Sequence, residues 1–190
     1  HGDTLRSLLN HVQNCAHTII GIETKDGHVF GAYCSSPWKV QPSWFGSGEC
    51  FLWRLKKSRL AGGGHQPDYE VDNEMEVYPY TGNDTQIQYC TEKTLAVGGG
   101  EWSLANGASD TSPHQDEPMG IAFMLDGDLM GGETNSCATF DNPRLCGKGA
   151  SNEFDIVALE VWTLTPCLTI AEAQKLEEKR VFVEQNALRR

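Results

Sequence analysis

The sequence predicts a mostly β domain, two antiparallel sheets stacked as a sandwich with short flanking helices. Three observations predict it. Apolar residues alternate at period two along a series of short runs, turn-forming residues separate those runs, and helical periodicity is confined to the two ends of the chain. Thr4 to Gln13 places Leu5, Leu8, Leu9 and Val12 at three- and four-residue spacing, with Asp3 as a candidate N-cap, which reads as an amphipathic helix packed on a sheet. Strand-like runs follow at His17 to Glu23, His28 to Ser35, Cys50 to Leu55, Glu74 to Tyr80, Gln86 to Cys90, Thr94 to Val97, Gly120 to Leu125 and Phe154 to Leu164. Lys25-Asp26-Gly27, Thr81-Gly82-Asn83-Asp84 and Asp126-Gly127-Asp128 supply turns between several of them. Only short helices fit between the runs, which argues for antiparallel pairing over a parallel α/β sheet.

Glycine marks the bends. Val29-Phe30-Gly31-Ala32-Tyr33 reads as a strand with Gly31 inside it, and Gly46 and Gly48 read as a tight turn that feeds a buried strand carrying Phe51, Trp53 and Leu55. A dinucleotide-binding loop needs a preceding strand, a third glycine and a following helix, so Gly46 and Gly48 do not form one. Gly98, Gly99 and Gly100 fail the same test, because Glu101 to Pro118 is polar and turn-rich. Both clusters read as architecture.

With 190 residues, 39% hydrophobic and 22% charged, the chain is expected to fold as one domain with a proper core. Its net charge of −11 leaves basic residues clustered mainly in 54–59 and near the C-terminus, without the broad basic face that nucleic-acid binding requires. A protein or small-molecule partner is expected instead. No run approaches the roughly eighteen apolar residues of a membrane span and nothing at the start resembles a secretory signal, so the expectation is a soluble chain without direct membrane insertion. Cys15, Cys34, Cys50, Cys90, Cys137, Cys146 and Cys167 form no Cys-x-x-Cys pair, which suits free, mostly buried thiols in a reducing, cytosolic compartment.

Ser58 to Val71, with Gly62-Gly63-Gly64, and Glu101 to Pro118 read as surface insertions, at 58–71 and 101–118. His65 and His114 fall there without the ligand spacing of a zinc site, and no cofactor motif is present. After Pro166, Thr169-Ile170-Ala171-Glu172 has capping-box spacing and opens a helix, with Ile170, Ala173, Leu176, Val183 and Leu188 as one weak apolar face. Residues 1–166 are thus expected to form the body and 167–190 a helical extension that docks on a partner.

Catalytic candidates are few. Ser136 and Cys137 are the nucleophile candidates, with Glu153 or Glu160 as acids and His17 or His28 as bases. Cys137 can be read as an oxidant-scavenging thiolate or as a core residue, with Ser136 and Thr139 satisfying turn amides. Alternation along the last strand groups Ile156, Ala158, Glu160 and Trp162 on one face. Glu160 then reads as a structural acceptor bracing the glycine turns, or as a docking or catalytic carboxylate, and Trp162 as core. Glu49, beside the Gly46-Gly48 turn, is a second carboxylate of interest.

Five segments in order resemble the TLDc domain of oxidation-resistance proteins and of a TBC-domain protein. They are Val29 to Ser35, Phe45 to Trp53, Leu95 to Gly100, Gly132 to Phe140 and Glu160-Val161-Trp162. The resemblance covers about residues 1 to 164, and Gly46-Ser47-Gly48-Glu49-Cys50-Phe51-Leu52-Trp53 is most similar to the oxidation-resistance branch. Thr134 stands where the family carries Ser, the 101–118 stretch interrupts the usual passage to the next strand, and family members begin with a further segment before His1-Gly2. The resemblance implies a two-sheet β-sandwich and a non-enzymatic interaction module that protects against oxidative stress. Its implied partner is the cytosolic sector of the vacuolar proton-pumping ATPase. The implied location is cytoplasmic, peripheral at endolysosomal or vacuolar membranes or associated with mitochondria. The alternatives are a thiol-based antioxidant enzyme and an accessory domain of a TBC-type small-GTPase regulator.

Overall fold

The computed structural model describes residues 4–12, 15–56, 74–100, 120–147 and 151–164, together with 171, 172, 174, 175, 178 and 179. One helix, α1 (Leu5–Val12), precedes β1 (His17–Thr24), β2 (Val29–Cys34), β3 (Gln41–Phe45), β4 (Phe51–Leu55) and β5 (Met75–Pro79). Then come β6 (Gln88–Cys90), β7 (Thr94–Val97), β8 (Phe123–Asp126), β9 (Gly131–Thr134) and β10 (Glu153–Leu164). All pairings are antiparallel, and they join the strands into one sheet in the order β3-β6-β7-β8-β9-β10-β1-β2-β4-β5. The β-rich, antiparallel expectation holds, but the expected pair of separate sheets is corrected to a single continuous one.

The reason is β10. Its 12 residues are long enough to serve two neighbours: Glu153 to Asp155 pair with β9, and Ile156 to Leu164 pair with β1. Glu23 sits opposite Ala158 and Thr24 opposite Ile156, so Val157 is the extra residue of a β-bulge. Bulges bend and twist a strand, and the ladder here runs on across the bend. The two wings of the sheet face each other across the core. Phe30 of β2 meets Phe123 of β8 edge-on at 5.9 Å and Phe154 of β10 at 5.2 Å.

Alternation drives this burial. In β1, Thr18, Ile20, Ile22 and Thr24 point inward, joined by Ala32 and Leu52 from one wing and by Leu95, Val97 and Leu125 from the other. Each such aliphatic side chain taken from water contributes about 1.5–3 kcal/mol before entropy is counted. Trp38 is buried outside any strand, and its indole N–H donates to Thr18 Oγ1 at 3.0 Å, which satisfies both polar atoms. Helix α1 adds Leu5, Leu9 and Val12 to the core and is anchored by the Leu5 N–H on the Gly127 carbonyl. Thr4 Oγ1 accepts from the Ser7 N–H at 3.4 Å, an N-cap contact; Asp3, the expected cap, lies outside the described residues.

Strands β3 and β9 have no counterpart among the sequence-predicted runs. Each is short, β3 carries Pro42 and β9 opens on Gly131-Gly132, compositions that read as turn. The insertions at 58–71 and 101–118, with His65 and His114, lie outside the described residues, as does Cys167. Within the expected C-terminal extension, Ala171, Glu172, Gln174, Lys175, Glu178 and Lys179 are helical and exposed; its apolar positions Ile170, Ala173, Leu176, Val183 and Leu188 lie outside. No helix among the described residues is long and apolar enough to cross a membrane.

Candidate functional site

The sequence-predicted residues fall into three groups. The first is a buried knot. Gly98 (φ 73°) and Gly100 (φ 79°) take backbone conformations that favour glycine, and a Cβ at Gly98 would meet Phe140, Ala122 and Cys137 at 2.8–3.0 Å. Gly99 is clasped by Thr139, whose hydroxyl donates to the Gly99 carbonyl at 2.8 Å while its backbone N–H reaches the same oxygen at 3.3 Å. The Cys137 thiol donates to Asn142 Oδ1 at 3.1 Å, and the Asn142 amide donates to the Asn135 and Pro143 carbonyls. Ser136 is buried beside them. Burial pushes the Cys137 thiol up to about 12, so it stays protonated at neutral pH and is no nucleophile.

The second group lies on the outer face of the β10-β1-β2-β4-β5 wing. Two rows of opposed residues cross it: Trp162, Ile19, Tyr33, Phe51 and Pro79, then Glu160, Gly21, Gly31, Trp53 and Val77. The Val157 bulge explains the correction this requires. By consuming one extra residue it shifts the alternation of β10, so Leu159, Val161 and Thr163 turn inward while Glu160 and Trp162 turn outward. Trp162 is 63% exposed rather than core. Glu160 does not brace a glycine turn; it is exposed and accepts the Trp162 indole N–H at 3.1 Å. In β4 the inward residue is Leu52, and Phe51, Trp53 and Leu55, expected in the core, lie half-buried on this outer face.

Glycine in the middle of this face has a packing role. Gly31 and Gly21 face one another across β2 and β1, and the Trp53 ring lies beside both. A Cβ at Gly31 would collide with the Ile20 carbonyl oxygen and come within 3.0 Å of the indole. Met75, Val77, Trp162 and Leu164 are exposed and extend the half-buried apolar residues into a broad patch. Sequence reasoning missed Met75, Val77 and Leu164 as surface. The signal was present in β5, whose Met75, Val77 and Pro79 alternate with Glu76 and Tyr78, but alternation gives the period and not the side that faces the core. His17, a candidate base, bonds the Tyr33 hydroxyl at 2.9 Å and stacks on its ring.

The third group is the turn before β4. Gly46 (φ 117°) and Gly48 sit tightly against Ile87 and Tyr80, respectively, and Glu49 is exposed at the turn's tip. Beneath the turn lies Cys50, 1% exposed. The β2–β4 ladder pairs Phe30 with Arg54 through Tyr33 with Phe51, so continuing it by one residue sets Cys34 opposite Cys50. Ser35 N–H and Ser35 Oγ each lie 3.4 Å from the Cys50 sulfur, and Ser35 Oγ is 2.6 Å from Ser47 Oγ. The neighbouring Cys34 thiol, then the Ser35 hydroxyl and amide and the Ser47 amide, pull the Cys50 thiol down to about 6 against the effect of burial. Cys34 moves the other way: burial, then its bond to Cys50, holds it well above the usual thiol range. Neither residue stood among the sequence-predicted site candidates.

Nucleophile candidates are thus buried in one place and carboxylate candidates exposed in another, and no cluster of metal-ligating side chains exists among the described residues. What the fold presents is a β module with an apolar outer sheet face. The chain belongs to the TLDc-domain family, whose pattern matches residues 1–165. It is 30% identical over 163 residues to oxidation resistance protein 1 of Yarrowia lipolytica, covering 85% of this chain and 52% of that protein. It is 26% identical to the MTOR-associated protein MEAK7 of Xenopus laevis, over 86% of this chain and 30% of that one. Against the GTPase-activating protein skywalker of Drosophila melanogaster it is 29% identical over 85% of this chain and 24% of that one. The chain therefore spans between about a quarter and about half of these relatives.

Proposed function

We propose that this domain is a non-enzymatic interaction module of oxidation resistance, and that it docks through the outer face of the β10-β1-β2-β4-β5 wing on the cytosolic sector of the vacuolar proton-pumping ATPase. The observation that carries the reading is that face: Trp162, Leu164, Met75 and Val77 stand exposed among half-buried aromatic residues, with Glu160 and Glu23 interleaved. Contiguous exposed apolar patches of this kind, with polar residues among them, mark protein contact sites, and an exposed tryptophan is the residue type most often found at their energetic centre. Membership of the family and the oxidation-resistance names of its relatives support the stress-related role. Such a module sits in the cytoplasm and reaches an endolysosomal or vacuolar membrane through its partner.

The test is co-purification. Tagged wild-type domain incubated with solubilised vacuolar membranes is expected to recover ATPase subunits, whereas Trp162→Ala combined with Val77→Lys loses at least ten-fold of that recovery with an unchanged melting temperature. Recovery by the double variant at the wild-type level sinks the face. No recovery by the wild type sinks the partner.

A further inference from the structure

We propose that Cys34 and Cys50 form a peroxide-reactive dithiol that closes into a cross-strand disulfide, a covalent modification site independent of the docking face. Position comes first. Residues directly opposite on antiparallel strands hold their Cβ atoms about 4.5–5.5 Å apart, within a small shift of the roughly 3.5–4.5 Å a disulfide needs. Cys34 and Cys50 lie one position beyond the last pair of the β2–β4 ladder, Tyr33 with Phe51, which makes the two thiols neighbours. Activation comes second, since the Ser35 amide and hydroxyl converge on the Cys50 sulfur from one side and the Cys34 thiol from another. Both Ser35 contacts fall on Cys50, which marks it as attacker and Cys34 as resolver, and the lowered thiol of Cys50 agrees with that geometry.

Access is the third point. Cys50 is buried, and the half-buried Ser35 and Ser47 hydroxyls beside it, 2.6 Å apart, link it toward the surface. That pair is a short proton path and a route for an oxidant as small as hydrogen peroxide. In the thiol form Cys50 donates to Gln88 Oε1 of β6 at 3.7 Å, and Gln88 Nε2 is tied to the Ser36 carbonyl. Gln88 is neutral; among the described residues Tyr33 interacts with both thiols and is held protonated chiefly by burial and then by Glu49, which precedes Cys50 in the chain.

The chemistry balances in two steps. The Cys50 thiolate attacks one peroxide oxygen, the S–O bond forms as O–O breaks, and the departing hydroxide takes a proton through the Ser35–Ser47 hydroxyls and leaves as water. The Cys34 sulfur then attacks the Cys50 sulfenic acid, S–S forms as S–O breaks, and the leaving hydroxide takes the Cys34 proton. Two thiols lose two electrons, and one peroxide becomes two waters.

The experiment treats the folded full chain with equimolar hydrogen peroxide, quenches with N-ethylmaleimide, denatures, and maps peptides by mass. The expected product is a Cys34–Cys50 disulfide reversible by dithiothreitol. Cys34→Ser traps a dimedone-reactive sulfenate at Cys50, and Cys50→Ser leaves Cys34 reduced. The oxidation rate rises with a midpoint near pH 6 and not near the roughly 8.5 of a free thiol. Ser35→Ala moves that midpoint upward by about one pH unit, the worth of one hydrogen bond. Full maleimide labelling of Cys34 and Cys50 after peroxide overturns the proposal, as does a midpoint near that of free thiols with the fold intact. So does a disulfide that forms elsewhere and leaves this pair reduced.

Discussion

Cys137 and Cys50 are equally shut away, at 0% and 1% exposure, yet their thiols are displaced in opposite directions, to about 12 and about 6. What separates them is whether the contacts on the sulfur outweigh burial. Cys137 donates to Asn142 Oδ1, and there burial outweighs the backbone contacts of Phe140, Thr139 and Ala122 that act in the other direction. Cys50 donates to Gln88 Oε1 at 3.7 Å, yet the Cys34 thiol and the Ser35 hydroxyl and amide together outweigh burial and favour the thiolate. Burial alone therefore says nothing about reactivity: the knot makes a structural thiol, and the turn beneath Gly48 makes a chemical one.

The largest expected effect lies on the structural side. Gly98→Ala forces an L residue to φ 73° and drives its Cβ to 2.8–3.0 Å from Phe140, Ala122 and the Cys137 sulfur. Strain and overpacking together are expected to remove more than about 3 kcal/mol, read as a lower urea midpoint. Gly82→Ala is the control, because Gly82 has a similar φ of 81° and nothing within 4 Å. It is expected to cost about 1 kcal/mol. Equal losses at the two positions would mean that the knot is looser than its geometry implies.

The next effect is on pH dependence, where the two thiols act with opposite sign. The folded Cys50 thiol is lowered to about 6. Its contribution is present above the unfolded value of about 8.5 and is lost as pH falls toward 6, at most about 3 kcal/mol across the window. The folded Cys137 thiol is raised to about 12. Its contribution is present below about 8.5 and falls by about 1.4 kcal/mol per pH unit above that value until the folded thiol itself ionises. Denaturant titrations across pH should show the acid-side slope flattened by Cys50→Ser and the alkaline-side fall reduced by Cys137→Ala. Parallel curves for wild type and Cys50→Ser between pH 6 and 8.5 would remove the distinction.

The same contrast shows what could be read from the chain. Antiparallel strands, the helix at Leu5–Val12 and the structural nature of Gly98 to Gly100 were legible, because period-two and period-3.6 patterns and clustered glycines report local backbone geometry. The face of a strand was not. Phe51, Trp53 and Trp162 read as core because large aromatic residues usually are, and one inserted residue at Val157 reversed the phase of β10. The continuous sheet escaped for a related reason, since a strand that serves two neighbours differs from others only in length. The Cys34–Cys50 pair was illegible because the residues lie 16 positions apart and their proximity is a fact of register.

Ser47→Ala gives the smallest effect and the finest test of the chemical thiol. Ser35 Oγ lies 3.4 Å from the Cys50 sulfur and 2.6 Å from Ser47 Oγ, and it has one proton to give. A thiolate is the stronger acceptor, so Ser35 donates to sulfur and Ser47 donates to Ser35, each bond polarising the next. Removing the Ser47 hydroxyl weakens the Ser35 bond without deleting it, and the Cys50 oxidation midpoint should rise by a few tenths of a pH unit. Stability should change by less than about 1 kcal/mol, since Ser47 is only half-buried and water replaces the lost partner. The opposite arrangement, with Ser35 donating to Ser47, predicts a midpoint that falls, because the substitution would release the Ser35 proton to the sulfur. The sign of the shift therefore reports which way the hydroxyl pair points, and a fall would place the thiolate's stabilisation on Cys34 and the Ser35 amide instead.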